Sequence, residues 1–257
     1  MNQQSAISTI LDEDGIHVLF QPIFHIGGEV SVAYAYEALS RGPRGTHFER
    51  ADILFDYVRL KHEEVRIDRH CLATAIAAGA ELARSACLTL NVHALTIERD
   101  ADLPRYVDDL CVRYGVDPGH LIFELVEQSA HAEDRRLVPA LDRLRAMGIR
   151  IALDDLGVGH CNYRAILDVD PDILKIDRYF VQNCTTDPGR RAILRSIVSL
   201  AADFDAIVIA EGIERDDELA MARSMGIAYG QGYLLGRPEA PERQVRPRLV
   251  HTTSINV

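Results

Sequence analysis

I-A-L-D-D-L-G-V-G, residues Ile151–Gly159, sets a short apolar run directly against two adjacent carboxylates. Ile151, Ala152 and Leu153 suit a strand buried on both faces. Such a strand cannot carry Asp154 and Asp155 into an apolar core, so the two acids must emerge at its end. Like charges side by side repel, and a divalent cation is the usual relief. Taken alone, the pair reads equally well as the start of a loop or a helix cap.

Working outward, the same punctuation recurs. Strand candidates are His17–Phe24, Val30–Glu37, Leu88–Asn91, Leu121–Glu124, Ile151–Asp154, Ile173–Lys175, Ile207–Glu211 and a weaker one near Tyr229–Leu234. Amphipathic stretches lie between them: Ala51–Ala83, Leu103–Tyr114, Arg135–Met147, Arg190–Asp203 and Asp216–Met225. Gly148 and Gly226 follow two of these, as helix C-termini prefer. Strand–helix alternation of this kind predicts a parallel barrel or a doubly wound sheet. The start differs, because the turn at I-G-G-E leaves no room for a helix; the first two strands should form an antiparallel hairpin.

What ends each run is chemically consistent. Glu37, Asn91, Glu124, Asp154 with Asp155, Lys175, Glu211 and Gln231 close successive strands. In a barrel, the C-terminal strand ends converge on one face, where the chemistry sits. Singly, each is more often a cap or an ion-pair partner, but the series is not. Acids plus an amide make an oxygen-rich site suited to Mg²⁺ or Mn²⁺, whereas a softer metal would want Cys or His. Such a cluster can hold two metals about 3.5–4 Å apart, the arrangement used for in-line displacement at phosphorus. Asp154 is the natural bridging ligand, and a protonated Lys175 would offset charge on the reacting phosphate. Metal-dependent phosphoester hydrolysis is the leading reading. The rival is a lyase or racemase in which the strand-end lysine abstracts a proton.

Composition bounds the alternatives. The chain has 257 residues, 47% hydrophobic, enough for one sizeable core. Its 28 basic against 39 acidic residues give a formal charge of −11. That argues against DNA or RNA polymers and against an anionic membrane surface, which want a basic face. Five scattered cysteines (71, 87, 111, 161 and 184) without a C-x-x-C pair read as reduced thiols. The N-terminus does not read as a signal peptide and no run approaches a membrane span, so a cytoplasmic location is expected.

The motifs then carry a family resemblance. F-Q-P-I (Phe20–Ile23), Y-E-A-L-S-R (Tyr36–Arg41), L-N-V (Leu90–Val92), F-E-L-V-E (Phe123–Glu127), L-D-D-L-G-V-G (Leu153–Gly159), I-L-K-I-D-R (Ile173–Arg178), I-A-E-G-I-E (Ile209–Glu214) and G-Q-G-Y-L-L-G-R-P (Gly230–Pro238) stand in order. Together they resemble the EAL domain of bacterial cyclic di-GMP phosphodiesterases. The resemblance implies a TIM-like (β/α)8 barrel whose first strand runs against the rest, spanning residues 1–240, with a weakly structured tail over 241–257. It implies two Mg²⁺ or Mn²⁺ ions, with Glu37, Asn91, Glu124 and Asp154 as ligands of one and Asp154 and Asp155 of the other. Glu37, Lys175, Glu211 and Gln231 are its expected catalytic groups. Gln21, Leu39, Arg41, Tyr233 and Pro238 match substrate-contacting positions alongside Glu37 and Asn91, and a guanidinium at 41 suits a phosphate. Glu127 matches an acid that braces the loop after Asp155.

Two departures stand out. The family's G-x-G-Y-S-S-L is here Gly157-Val158-Gly159-His160-Cys161-Asn162-Tyr163, which bears on activity level. The segment Gly45–Asp68 lacks the usual A-E-x-x-G pattern and borders the nucleotide site, so base contacts do not carry over. The implied function is hydrolysis of cyclic di-GMP to linear 5′-pGpG; the alternative is a cyclic di-GMP receptor or protein-interaction module. A homodimer formed through the loop region, and a regulatory protein partner, are further implications of the resemblance.

Overall fold

The computed structural model describes residues 10, 15–28, 33–126, 136–156 and 163–244, with no side-chain description for 155 and 156. The described strands close into a barrel in simple chain order. They are β1 (His17–His25), β2 (Ala33–Arg41), β3 (Cys87–His93), β4 (Leu121–Val126), β5 (Arg150–Leu156), β6 (Ile173–Ile176), β7 (Ile207–Ala210) and β8 (Tyr229–Gly230). The helices are α1 (Ala51–Lys61), α2 (Glu64–Gly79), α3 (Ala94–Arg99), α4 (Leu103–Tyr114), α5 (Leu137–Ala146), α6 (Tyr163–Val169), α7 (Arg178–Val181), α8 (Pro188–Asp203), α9 (Asp216–Ser224) and α10 (Pro241–Gln244). Strand β1 is antiparallel to both neighbours, β2 and β8, and the remaining neighbours are parallel. The short β1–β2 connection enforces this, since a parallel pair needs a crossover.

Two layers of apolar side chains hold the barrel. Inside, Ile23, Ala35, Cys87, Ile122, Ala152, Ile173 and Ile209 form a floor. Outside, residues such as Phe20, Leu90, Phe123, Leu153 and Leu174 pack under the helices. Phe20 and Phe123 are fully buried, each contributing about 1.5–3 kcal/mol by removal from water. Cys71, Cys87, Cys111 and Cys184 are buried free thiols, as read from their spacing. Among the described residues no helix is long and apolar enough to cross a membrane.

Three local differences from the sequence reading have clear causes. The stretch Ala51–Ala83 is not one helix, because His62 turns left-handed (φ 56°) and its N–H returns to the carbonyls of Val58 and Arg59. Strand β2, described from Ala33, runs four residues beyond Glu37 to Arg41; the expected start at Val30 falls on residues 29–32, which lie outside the described set. The tail expected to be weakly structured over 241–257 opens with the short helix α10, Pro241–Gln244, and the chain just before it is in use. Because β8 is two residues long and reaches only Phe24 and His25 on β1, the Phe20 backbone must find partners elsewhere on that side. It exchanges hydrogen bonds with Glu239 (2.8 and 3.0 Å), and the buried Gln244 donates Nε2 to the Phe20 carbonyl at 2.7 Å. Residues 245–257 lie outside the described set.

Candidate active site

Period-two alternation lifts the site directly off the apolar floor. One step of two residues toward the C-terminal rim converts Ala35 to Glu37, Ile122 to Glu124, Ala152 to Asp154, Ile173 to Lys175 and Ile209 to Glu211. From Cys87 the same step passes through Thr89 to Asn91, and from Tyr229 it reaches Gln231. On the reversed β1 the step runs backward, from Ile23 to Gln21, which stands directly opposite Glu37 in the ladder. The antiparallel first strand is therefore what brings an early glutamine to the same rim as these strand ends.

Lys175 is the electrostatic centre of this layer. Only 1% exposed, its ammonium donates to Glu211 Oε1 at 2.6 Å and Glu124 Oε2 at 2.8 Å, with Asp154 Oδ1 at 3.4 Å and Glu37 Oε2 at 3.7 Å. Burial opposes a charged ammonium, yet the surrounding carboxylates hold it well above its ordinary value. Four carboxylates against one ammonium leave the pocket overcharged. Burial pushes the Glu124 carboxyl up, against the pull of Lys175 and with help from Glu37 and Asp154, to about 8. Burial, then Asp154, likewise raise Glu211 well above the carboxylate range despite Lys175.

Amides fix the central acid. Gln231 Nε2 donates to Glu37 Oε2 at 2.6 Å and Asn91 Nδ2 to Glu37 Oε1 at 3.3 Å. Two buried acceptors, Glu124 Oε1 and Gln231 Oε1, have no hydrogen-bond partner among the described residues. Orphaned buried oxygens beside surplus negative charge fit hard divalent cations, which take oxygen ligands and offset that charge. Among the described residues, no three carboxylate, imidazole or thiol groups already converge on one coordination point; the acids instead face Lys175. Strand β5 carries an extra residue between Leu153 and Leu156 relative to β6, a bulge at Asp154–Asp155. Strict alternation would turn adjacent side chains to opposite faces, and a bulge relaxes that constraint. The side chain of Asp155, Glu127 and the loop over 157–162 lie outside the described residues.

Two cavities meet at Glu37. The larger, about 1020 Å³, is lined by Gln21, Asp154, Lys175, Glu211, Gln231 and Tyr233 among others. The smaller, about 270 Å³, is lined by Leu39, Arg41 and Asn91 with the residues of α1. Gln21 is held by donating Nε2 to the Gly236 carbonyl at 3.0 Å, and the Tyr233 ring lies under Arg237 at 4.2 Å. Pro238 is not brought to the lining of either cavity.

Several lining residues escaped the strand-end reading. Arg178 and Tyr179, three and four residues beyond Lys175, line the larger cavity; extending the rule from strand end to following helix start would have found them. Arg178 presses so close to Gly212 (φ 66°) that a Cβ there would sit 2.2 Å from the Arg178 Cβ. His93 and Asp68 line the smaller cavity, a pair no local pattern reveals. His93 Nδ1 meets Asp68 Oδ1 at 2.8 Å, and Asp68 Oδ2 accepts the His93 backbone N–H at 2.9 Å. Burial pulls the His93 imidazole down, but the hydrogen bond to Asp68 and the charges of Asp68 and Glu64 more than offset it, leaving it raised.

Comparisons with known proteins bear on the family and the fold. The family model described as EAL domain matches residues 4–238. The chain is 36% identical over 127 residues to the probable cyclic di-GMP phosphodiesterase PdeA of Escherichia coli K12, covering 49% of this chain and 17% of that protein. It thus spans under a fifth of that relative's length. The solved PaMucR phosphodiesterase in complex with c-di-GMP superposes with a TM-score of 0.79 at 25% identity, covering 93% of this chain and 97% of the other. A standalone EAL protein from Vibrio cholerae O395, in its c-di-GMP-bound form, gives 0.77 at 25% identity, covering 88% and 93%.

Proposed function

The chain belongs to the EAL-domain family, and from that premise we propose that it is a metal-dependent phosphodiesterase opening cyclic di-GMP to linear 5′-pGpG. The observation that carries this reading is the ring of Glu37, Glu124, Asp154 and Glu211 around the buried Lys175, oxygen-rich and overcharged, at the rim of the barrel. Glu37, Asn91, Glu124, Asp154 and Asp155 would hold two Mg²⁺ or Mn²⁺ ions, a group that would supply charge neutralisation of the phosphodiester and a lowered pKa of water. The chain's own groups do the rest. Arg41 offers a planar fork of donors to a phosphate. Glu211, its proton affinity raised by burial, takes a proton as water attacks phosphorus. Lys175 offsets the charge that accumulates on the phosphoryl oxygens. Gln231 holds Glu37 in one orientation through its 2.6 Å bond. The P–O3′ bond breaks, the 3′ oxygen gains a proton, and the phosphate stays on the 5′ side.

The test is chromatography of cyclic di-GMP incubated with the purified protein and Mg²⁺ or Mn²⁺, with an EDTA control. Linear 5′-pGpG that disappears with EDTA, and is absent for Glu37→Ala despite a native melting curve, is the expected result. Binding without turnover in either metal would replace the enzyme with a receptor.

A further inference from the structure

One wall of the larger cavity is pinned from behind by chain beyond the family match. Gln21 and Tyr233 line that cavity. Gln21 donates its amide to the Gly236 carbonyl at 3.0 Å, and the Arg237 guanidinium lies over the Tyr233 ring at 4.2 Å. The placing of both lining side chains therefore depends on where Gly236 and Arg237 sit relative to β1. The β1–β8 ladder does not set that distance, because its pairing stops at Phe24. The chain after residue 238, where the EAL match ends, sets it instead.

Gln244, on α10, is 4% exposed. Its Nε2 donates to the Phe20 carbonyl at 2.7 Å and to the Arg237 carbonyl at 3.2 Å, so both amide hydrogens are in use. Its own backbone carbonyl accepts from the Tyr36 hydroxyl at 3.3 Å. Phe20 directly precedes Gln21, and Tyr36 directly precedes Glu37. One buried side chain thus joins the strand that carries Gln21 to the segment that carries Arg237, while its backbone reaches the strand that carries Glu37. An amide is unfavourable to bury unless it is bonded. An apolar side chain would fill the same place without that penalty, so packing alone does not call for glutamine here. We propose that Gln244 is a positioning residue for substrate binding, fixing the Gly236–Arg237 backbone against β1 so that Gln21 and Tyr233 meet the dinucleotide in one geometry. The inference rests on the cyclic di-GMP reading above and adds to it a residue outside the family match. Gln244 lines neither cavity and acts through the two side chains that do. Glu124, Asp154, Lys175 and Glu211 stand on strands to which it makes no bond, so its loss should fall on KM and spare kcat.

The experiment compares wild type, Gln244→Met, Gln21→Ala and the double variant in hydrolysis of cyclic di-GMP with Mn²⁺, with calorimetric binding and thermal melts alongside. Methionine keeps the volume and removes the donors. Misplaced contacts should raise KM about tenfold with kcat within about twofold; where turnover is absent, Kd reads the same change. In the Gln21→Ala background the same substitution should raise KM by less, because the two residues share one route. Tyr36→Phe removes the hydroxyl that bonds the Gln244 carbonyl and should move KM the same way by about two- to threefold, which keeps the inference testable where Gln244→Met does not fold. A lowered melting temperature with KM unchanged, a fall in kcat at constant KM, or full additivity with Gln21→Ala would overturn this inference alone. A wild type that neither binds nor hydrolyses cyclic di-GMP would overturn it together with the function.

Discussion

Lys175→Met removes the one cation at the centre of the acid ring while keeping its volume. The two close contacts, at 2.6 and 2.8 Å, and the two longer ones leave four carboxylates facing each other in a site where Glu124 is fully buried. Stripping one partner from a buried ion pair costs about 3–5 kcal/mol, or about 6–20 °C in melting temperature at about 2–4 °C per kcal/mol for a domain of this size. The acids have an escape, which is to take up protons. Burial already raises two of them, Glu124 to about 8 and Glu211 well above the ordinary carboxylate value, so protonation favours the folded state at low pH and that support is lost as pH rises. The loss should therefore be small at pH 6 and full at pH 9. Divalent metal supplies the missing positive charge, and binding at a hundred times Kd adds about 2.7 kcal/mol. Thermal melts of wild type and variant at both pH values, with EDTA or with Mn²⁺, read all three effects. A variant as stable as wild type at pH 9 in EDTA, or a deficit that Mn²⁺ leaves untouched, would refute Lys175 as the compensating charge.

Gly212→Ala forces a left-handed alanine against the Arg178 Cβ; strain of about 1–2 kcal/mol and overpacking of about 1–3 kcal/mol should combine, lowering the melting temperature and, beside Glu211, cutting kcat/KM at least tenfold. Asp100→Ala removes the acceptor of both Arg69 bonds (2.6 and 2.7 Å) that tie α2 to the end of α3, so urea unfolding should show a loss of about 1.5–3 kcal/mol with kcat within twofold. Burial depresses His70, so the unfolded chain binds the proton more readily, and stability is full above the ordinary imidazole value and lost as pH falls through it. His70→Gln should flatten that acid-side loss in melts between pH 7 and 5.

Much of the site was legible because it obeys local geometry. A strand that alternates every two residues and ends in a polar group can be read without knowing its neighbours, and Glu37, Asn91, Glu124, Asp154, Lys175, Glu211 and Gln231 all announce themselves that way. The acid pair that began the reading sits on the bulge of β5, consistent with a strand that must give up its alternation where it meets the rim. The hairpin was legible from a connection too short to cross over. The break at His62 was not, since nothing in Lys61–Glu63 forbids a continuous helix; only the folding of α1 back beside α2, where Leu54 and Val58 share one apolar cluster with Ile67 and Cys71, calls for a residue with positive φ there.

Residue type and spacing were enough to determine an eight-stranded alternation, the order of its polar ends and the hardness of the ligands that would suit them. Tertiary structure alone decided which groups share charge. Lys175 meets Glu124 across 51 residues, Gln231 meets Glu37 across 194, and His93 meets Asp68 across 25. Backbone geometry dictates a local pattern one residue at a time, but a contact of that separation exists only once the barrel closes, and with it comes the burial that shifts each proton affinity.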